Sequence, residues 1–106
     1  MAQEIVKRSR RNIDAAKLEK VAHILKAISH PVRLEILEVL EGKPAQSVAE
    51  ILEQLDVEQS LLSHHLTKMK DKGILESYRD GRNIYYRLAI KEITGIFDCM
   101  EHCAFL

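Results

Sequence analysis

Three stretches of this chain hold the side chains best suited to chemistry. Residues 98–103, DCMEHC, gather both cysteines with a histidine and two carboxylates. Thiolate and imidazole groups at such spacing suit a tetrahedral zinc ion, and paired thiols can also answer an oxidant. Residues 57–73, VEQSLLSHHLTKMKDKG, carry amide, hydroxyl and imidazole groups between leucines. Those groups can donate to and accept from the edges of DNA bases. Around residues 79–83, RDGRN, arginines stand on either side of a turn glycine. Guanidinium groups so placed can meet phosphates or enter a minor groove.

The rest of the composition narrows the classes. No paired carboxylates, phosphate-binding glycine loop or metalloprotease motif is present, so an enzyme is not expected. Ser63 next to His64 reads as part of a recognition surface, not as a catalytic pair. The 106 residues fit one small domain with a single modest core. No apolar run approaches the roughly 20 residues that a membrane span needs. The start has no apolar stretch of secretory-signal length, and two cysteines without such a signal fit a reducing cytoplasm.

Sixteen lysines and arginines balance sixteen aspartates and glutamates, so bulk charge favours no partner. The distribution says more. Lys7, Arg8, Arg10 and Arg11 make a basic head, expected as a flexible arm over residues 1–12. Glu50, Glu53, Asp56 and Glu58 are acidic without an intervening cation, and residues 68–87 turn basic again. A local basic surface can bind phosphate even on a neutral protein.

Positioning these groups requires regular elements, and the hydrophobic period supplies them. Leu18, Val21, Ala22, Leu25 and Ile28 recur at helical spacing after Asp14. Pro31 suits the first turn of a second helix with Leu34, Leu37, Val39 and Leu40 inward, which Gly42 and Pro44 stop. A short third helix carries Val48, Ile51, Leu52 and Leu55. Asp56 and Val57 make a tight connection, and a fourth helix opens near Glu58 or Gln59 and runs to Gly73. Asp56 and Gln59 have capping-box spacing. Two near-alternating runs then flank Asp80–Gly81, a hairpin signal, and a last helix spans about residues 91–104. The pattern predicts an α+β fold: a winged helix-turn-helix with four helices, a β-hairpin wing and a C-terminal helix, over residues 13–106.

On the fourth helix, at about 100° per residue, Leu55, Leu66 and Met69 fall within about 40° of Leu62. Ser60, His64, Thr67 and Asp71 lie opposite, with Ser63 and Lys68 on the flanks. His65, about 60° from Leu62, is read as packed or hydrogen-bonded before base-reading. Short polar side chains on the outer face permit close approach in a major groove.

The segments ISHPVRLEILEVL, QSLLSHHLTKMKDKGIL and GRNIYYRL, in this order and spacing, resemble the ArsR/SmtB family of winged-helix repressors. The resemblance runs from Leu18 to Phe97. It implies a homodimer built from the first and last helices, binding palindromic double-stranded DNA as a transcriptional repressor. Gln59, Ser60, Ser63 and His64 match major-groove positions, with Thr67 and Lys68 on the same exposed face, and Arg79, Arg82 and Asn83 match the wing. Leu18, Val21, Leu25, Ile93, Ile96, Phe97 and Met100 would form the dimer contact. The family's metal patterns do not carry over: PAQSVAEI lacks the cysteines near the third helix, residues 33–41 lack the redox thiol, and the last-helix zinc pattern falls on Ile90, Glu92, Cys103 and Leu106.

On a continuous last helix Cys103 and Cys99 would lie about 80° and 120° from Ile93, flanking the apolar face, and His102 roughly opposite. Half-buried cysteines commonly behave as small hydrophobes. Structural cysteines and no cofactor are therefore the expectation, with zinc or thiol sensing at Cys99, His102 and Cys103 the alternative. A second alternative, from another class, is a protein-interaction module using the acidic third helix. Operator and inducer are not legible.

Overall fold

The computed structural model describes residues 10–106; residues 1–9, with Lys7 and Arg8 of the expected arm, lie outside the described residues. Helix α1 spans Ala15–Ala27, and the Asp14 side chain caps it by accepting from the Lys17 N–H. Only its C-terminal end enters the core, through Ala27, Ile28 and the half-buried Ile24. Helix α2, Pro31–Gly42, starts with Pro31 at its first position, and His30 Nδ1 accepts from the Val32 N–H at 3.1 Å. An imidazole nitrogen thereby does the capping work usual for the oxygen of Ser or Asp. Ile36, Leu37 and Leu40 are fully buried, while Leu34 and Val39 are only half-buried.

A two-residue strand β1, Gln46–Ser47, precedes the short helix α3, Val48–Leu52. Alternation over two residues leaves no periodic trace, so this strand was not expected. Gln46 is buried, and its Nε2 donates to the Val39 and Lys43 carbonyls at 2.7 and 2.8 Å. Gln54 Nε2 donates in turn to Gln46 Oε1 at 2.7 Å. The end of α2 is thus satisfied by a side chain from outside the helix. The capping box also lies elsewhere than its spacing suggested: Ser47 and Glu50 form it at the start of α3. Helix α4, Gln59–Asp71, has Glu58 at its N-cap with no side-chain hydrogen bond, so Asp56 and Gln59 do not cap it.

At the far end of α4 the Gly73 N–H bonds the Lys70 carbonyl and the Ile74 N–H bonds the Met69 carbonyl. With φ of +81° at Gly73 this is a Schellman motif, and Ile74 tucks into the core behind it. Strands β2, Leu75–Asp80, and β3, Asn83–Leu88, follow, and the antiparallel sheet has the order β1-β3-β2. Asp80 pairs with Asn83, which leaves Gly81 and Arg82 as the two turn residues, and Gly81 takes φ of +67°. Leu75, Ser77, Tyr86 and Leu88 share the inner face by register. The outer face carries the Glu76–Arg87 pair at 3.0 Å and the stacked rings of Tyr78 and Tyr85, 5.5 Å apart.

The C-terminal region departs most from expectation. A 3₁₀ turn, Lys91–Thr94, leads into a short helix α5, Gly95–Glu101, in place of one helix over residues 91–104. Thr94 Oγ1 donates to the Lys91 carbonyl at 3.2 Å, competing with the helical ladder, and Gly95 is a weak helix former. At the other end His102 caps the helix, with its Nδ1 2.8 Å from the Asp98 carbonyl. Cys103 and Ala104 lie beyond it.

Candidate nucleic-acid interface

Leu62, Leu66 and Met69 of α4 are fully buried against α2, α3 and the sheet, which fixes the rotation of the helix. Gln59, Ser60, His64, Thr67 and Lys68 are consequently exposed, and Ser63 is half-buried on the flank. Leu55, placed on this stripe by the wheel, precedes the helix instead, although it packs on the same core. The expected polar face is therefore assembled on one helix. Arg79, Arg82 and Asn83 are exposed at the tip of the hairpin, with Asp80 among them.

His65 points the other way. It is 4% exposed, and Arg33 Nε donates to its Nδ1 at 3.0 Å. Arg33 Nη1 also donates to the Ala27 carbonyl at 2.9 Å. The His30 ring lies 4.4 Å from the His65 ring, and His65 Nε2 is buried without a hydrogen-bond partner among the described residues. Burial first, then the positive potential of His30, Arg33 and His64, holds its pKa below the ordinary 6.5. The cluster escaped the sequence reading because its members are 32 residues apart. One signal was available: on α2 Arg33 lies about 40° from Leu37, a charge within the apolar stripe.

The acidic stretch is less of a barrier than its sequence implies. Glu50 is engaged by Lys43 Nζ at 2.7 Å and by the Ser47 N–H, which hold its carboxyl below the usual carboxylate range, and Glu50 in turn raises Lys43. Glu53, Asp56 and Glu58 remain exposed.

Leu18, Val21 and Leu25 of α1 are 47%, 44% and 50% exposed, an uncovered apolar face. Ile93, Ile96 and Phe97 instead are half-buried against the chain's own core, so part of the expected dimer surface serves the protomer itself. Met100 stays exposed, as do Phe105 and Leu106. Cys99 is exposed and Cys103 half-buried. With Cys103 past the end of α5, the two thiols are not successive turns of one helix. Among the described residues no three His, Cys, Asp or Glu side chains come together as metal ligands within one protomer.

The helix-turn-helix domain family matches residues 28–78, from the end of α1 to within β2. The HTH-type transcriptional regulator YgaV of Escherichia coli is 36% identical over 87 residues, covering 82% of this chain and 88% of that protein. The solution structure of Mb0332 from Mycobacterium bovis superposes with a TM-score of 0.69 at 30% identity, covering 92% of this chain and 87% of that one. It is described as a homodimeric winged helix-turn-helix DNA-binding domain of a possible ArsR-family regulator. This chain belongs to the ArsR/SmtB family. The transcriptional repressor PagR of Bacillus anthracis superposes with a TM-score of 0.72 at 36% identity, over 82% of this chain and 99% of that one. ArsR/SmtB proteins are DNA-binding transcriptional regulators and not enzymes. No helix among the described residues is long and apolar enough to cross a membrane.

Proposed function

We propose that this ArsR/SmtB protein is a cytoplasmic homodimeric repressor of a palindromic operator. Helix α4 enters the major groove with Gln59, Ser60, Ser63, His64, Thr67 and Lys68, and Arg79, Arg82 and Asn83 of the wing meet phosphates or the minor groove. The observation that carries this is the division of α4 between a fully buried Leu62–Leu66–Met69 side and an exposed side of short polar residues. The exposed Leu18, Val21 and Leu25, with Met100, supply the apolar surface for a second protomer. A pair of recognition helices related by a two-fold axis reads a palindrome. Fluorescence polarisation on a duplex from the DNA upstream of the protein's own gene tests it. Specific, salt-sensitive binding is expected; binding indifferent to sequence at micromolar protein would end the reading.

The alternative of a protein-interaction module rested on the acidic third helix. Engagement of Glu50 by Lys43 removes part of that support. No resident cofactor is proposed, and Cys99 and Cys103 are taken as structural. A zinc ion on Cys99, His102 or Cys103 would need ligands from a second protomer to reach four. Metal content and free-thiol count of the purified protein, with DNA affinity measured with and without zinc, decide that point.

A further inference from the structure

We propose that Arg33 is a positioning residue for DNA recognition, a clip that ties helix α4 to the end of helix α1 through His65. It rests on the reading of α4 as the recognition helix. One guanidinium donates to the Ala27 carbonyl, where α1 ends, and to His65 Nδ1, midway along α4. Its planar, fixed donors suit two acceptors held in one geometry, which a lysine cannot reproduce. Helix α1 carries the apolar face proposed for the dimer, so the clip joins the element that sets the two-fold axis to the element that reads bases. The two recognition helices of a dimer must meet half-sites about 34 Å apart, and small rotations of α4 against α1 would spoil that match. A second tie runs the same way: His23 Nε2 of α1 lies 3.3 Å from the Lys72 carbonyl that follows α4.

The clip has a chemical condition. His65 Nδ1 must accept, so its proton sits on Nε2 and the ring is neutral. A proton added at Nδ1 would turn the acceptor into a donor facing the Arg33 N–H groups. Among the described residues, every charge acting on His65 opposes that proton. The groups acting on His65 are His30 at the N-cap of α2, Arg33 of α2 and His64 from its own helix, and each disfavours a proton on it. On α3 and β2, which also pack against α4, Glu50 is paired with Lys43 and Glu76 with Arg87. Acid should therefore open the clip.

Polarisation is measured on the upstream duplex and on a scrambled duplex of equal length, at about pH 7.5 and at lower pH stepped down below the ordinary 6.5, since the folded His65 value lies beneath it. The ratio of the two affinities removes changes in non-specific binding that are common to both duplexes. Arg33→Lys keeps the charge, and is expected to cut that ratio about tenfold at the higher pH, the worth of a charge-assisted hydrogen bond. The wild-type ratio should fall on acidification. In His65→Asn, whose Oδ1 can accept where Nδ1 did but cannot be protonated, the ratio should fall less with acid than in the wild type. An unchanged ratio in Arg33→Lys, or the wild-type acid response in His65→Asn, overturns the proposal. Hydrogen exchange of the α4 amides without DNA gives a separate reading: faster exchange in Arg33→Lys supports the clip, and unchanged protection overturns it. If the wild type does not distinguish the two duplexes, the repressor reading fails and exchange alone decides the clip.

Discussion

Ser63 and His65 are two residues apart on α4 and do opposite work. Ser63 sits half-buried on the flank and is one of the proposed base contacts, so Ser63→Ala should weaken specific binding by about 1 kcal/mol, the net worth of one hydrogen bond. Competition with unrelated duplex checks this; equal losses on both DNAs would deny a base-reading role. His65 is held inward and neutral, and its lowered pKa has a consequence for folding. The unfolded chain takes up the proton at a higher pH than the folded one does. Folding stability should therefore be full above the ordinary 6.5 and decline as pH falls through it toward the folded value. Urea midpoints at about pH 7.5 and about pH 5.5 should show the decline, with a smaller one in His65→Asn; a higher midpoint in acid would contradict the assignment.

Among the elements, those with a long apolar period were legible and those made by contacts were not. Helices α1, α2 and α4 announced themselves through leucines and isoleucines three and four apart, and Gly73 and Gly81 marked their turns because both need positive φ. Five of the six outward residues proposed on α4 are exposed and Ser63 is half-buried, so the candidate site was legible to that extent. Strand β1 was hidden because it exists only through pairing with Tyr85 and Tyr86 of β3. The break at Gly95 depends on a hydroxyl reaching back to the Lys91 carbonyl, which no period encodes. The Arg33–His65 pair was hidden by its sequence separation. Two substitutions test how the elements hold α4 in place. Leu62→Ala should cost about 2–5 kcal/mol by leaving a cavity at the meeting point of α2 and α4. Ser47→Ala should cost about 0.5–2 kcal/mol by removing the α3 cap, and it touches none of the proposed DNA contacts. Chemical denaturation of each checks the order; a negligible loss in Leu62→Ala would mean the core is not packed as described.

At the scale of the whole molecule the uncovered face of α1 is the feature that a single protomer leaves unexplained. Leu18, Val21 and Leu25 lie in a row at helical spacing, and burying them against a second copy is the proposed resolution. Leu25→Glu should shift sedimentation from dimer to monomer and lower affinity for the palindrome while leaving a half-site largely unaffected. A dimer of undiminished strength would place the interface elsewhere. The central claim, that two copies read a palindrome through α4, is tested most directly by titrating the upstream duplex at several salt concentrations and counting protomers per duplex. The account predicts two protomers per palindrome and affinity that falls steeply and log-linearly with salt, while a scrambled duplex binds far more weakly. Equal affinity for the palindromic and scrambled duplexes, or one protomer bound per site, would contradict it.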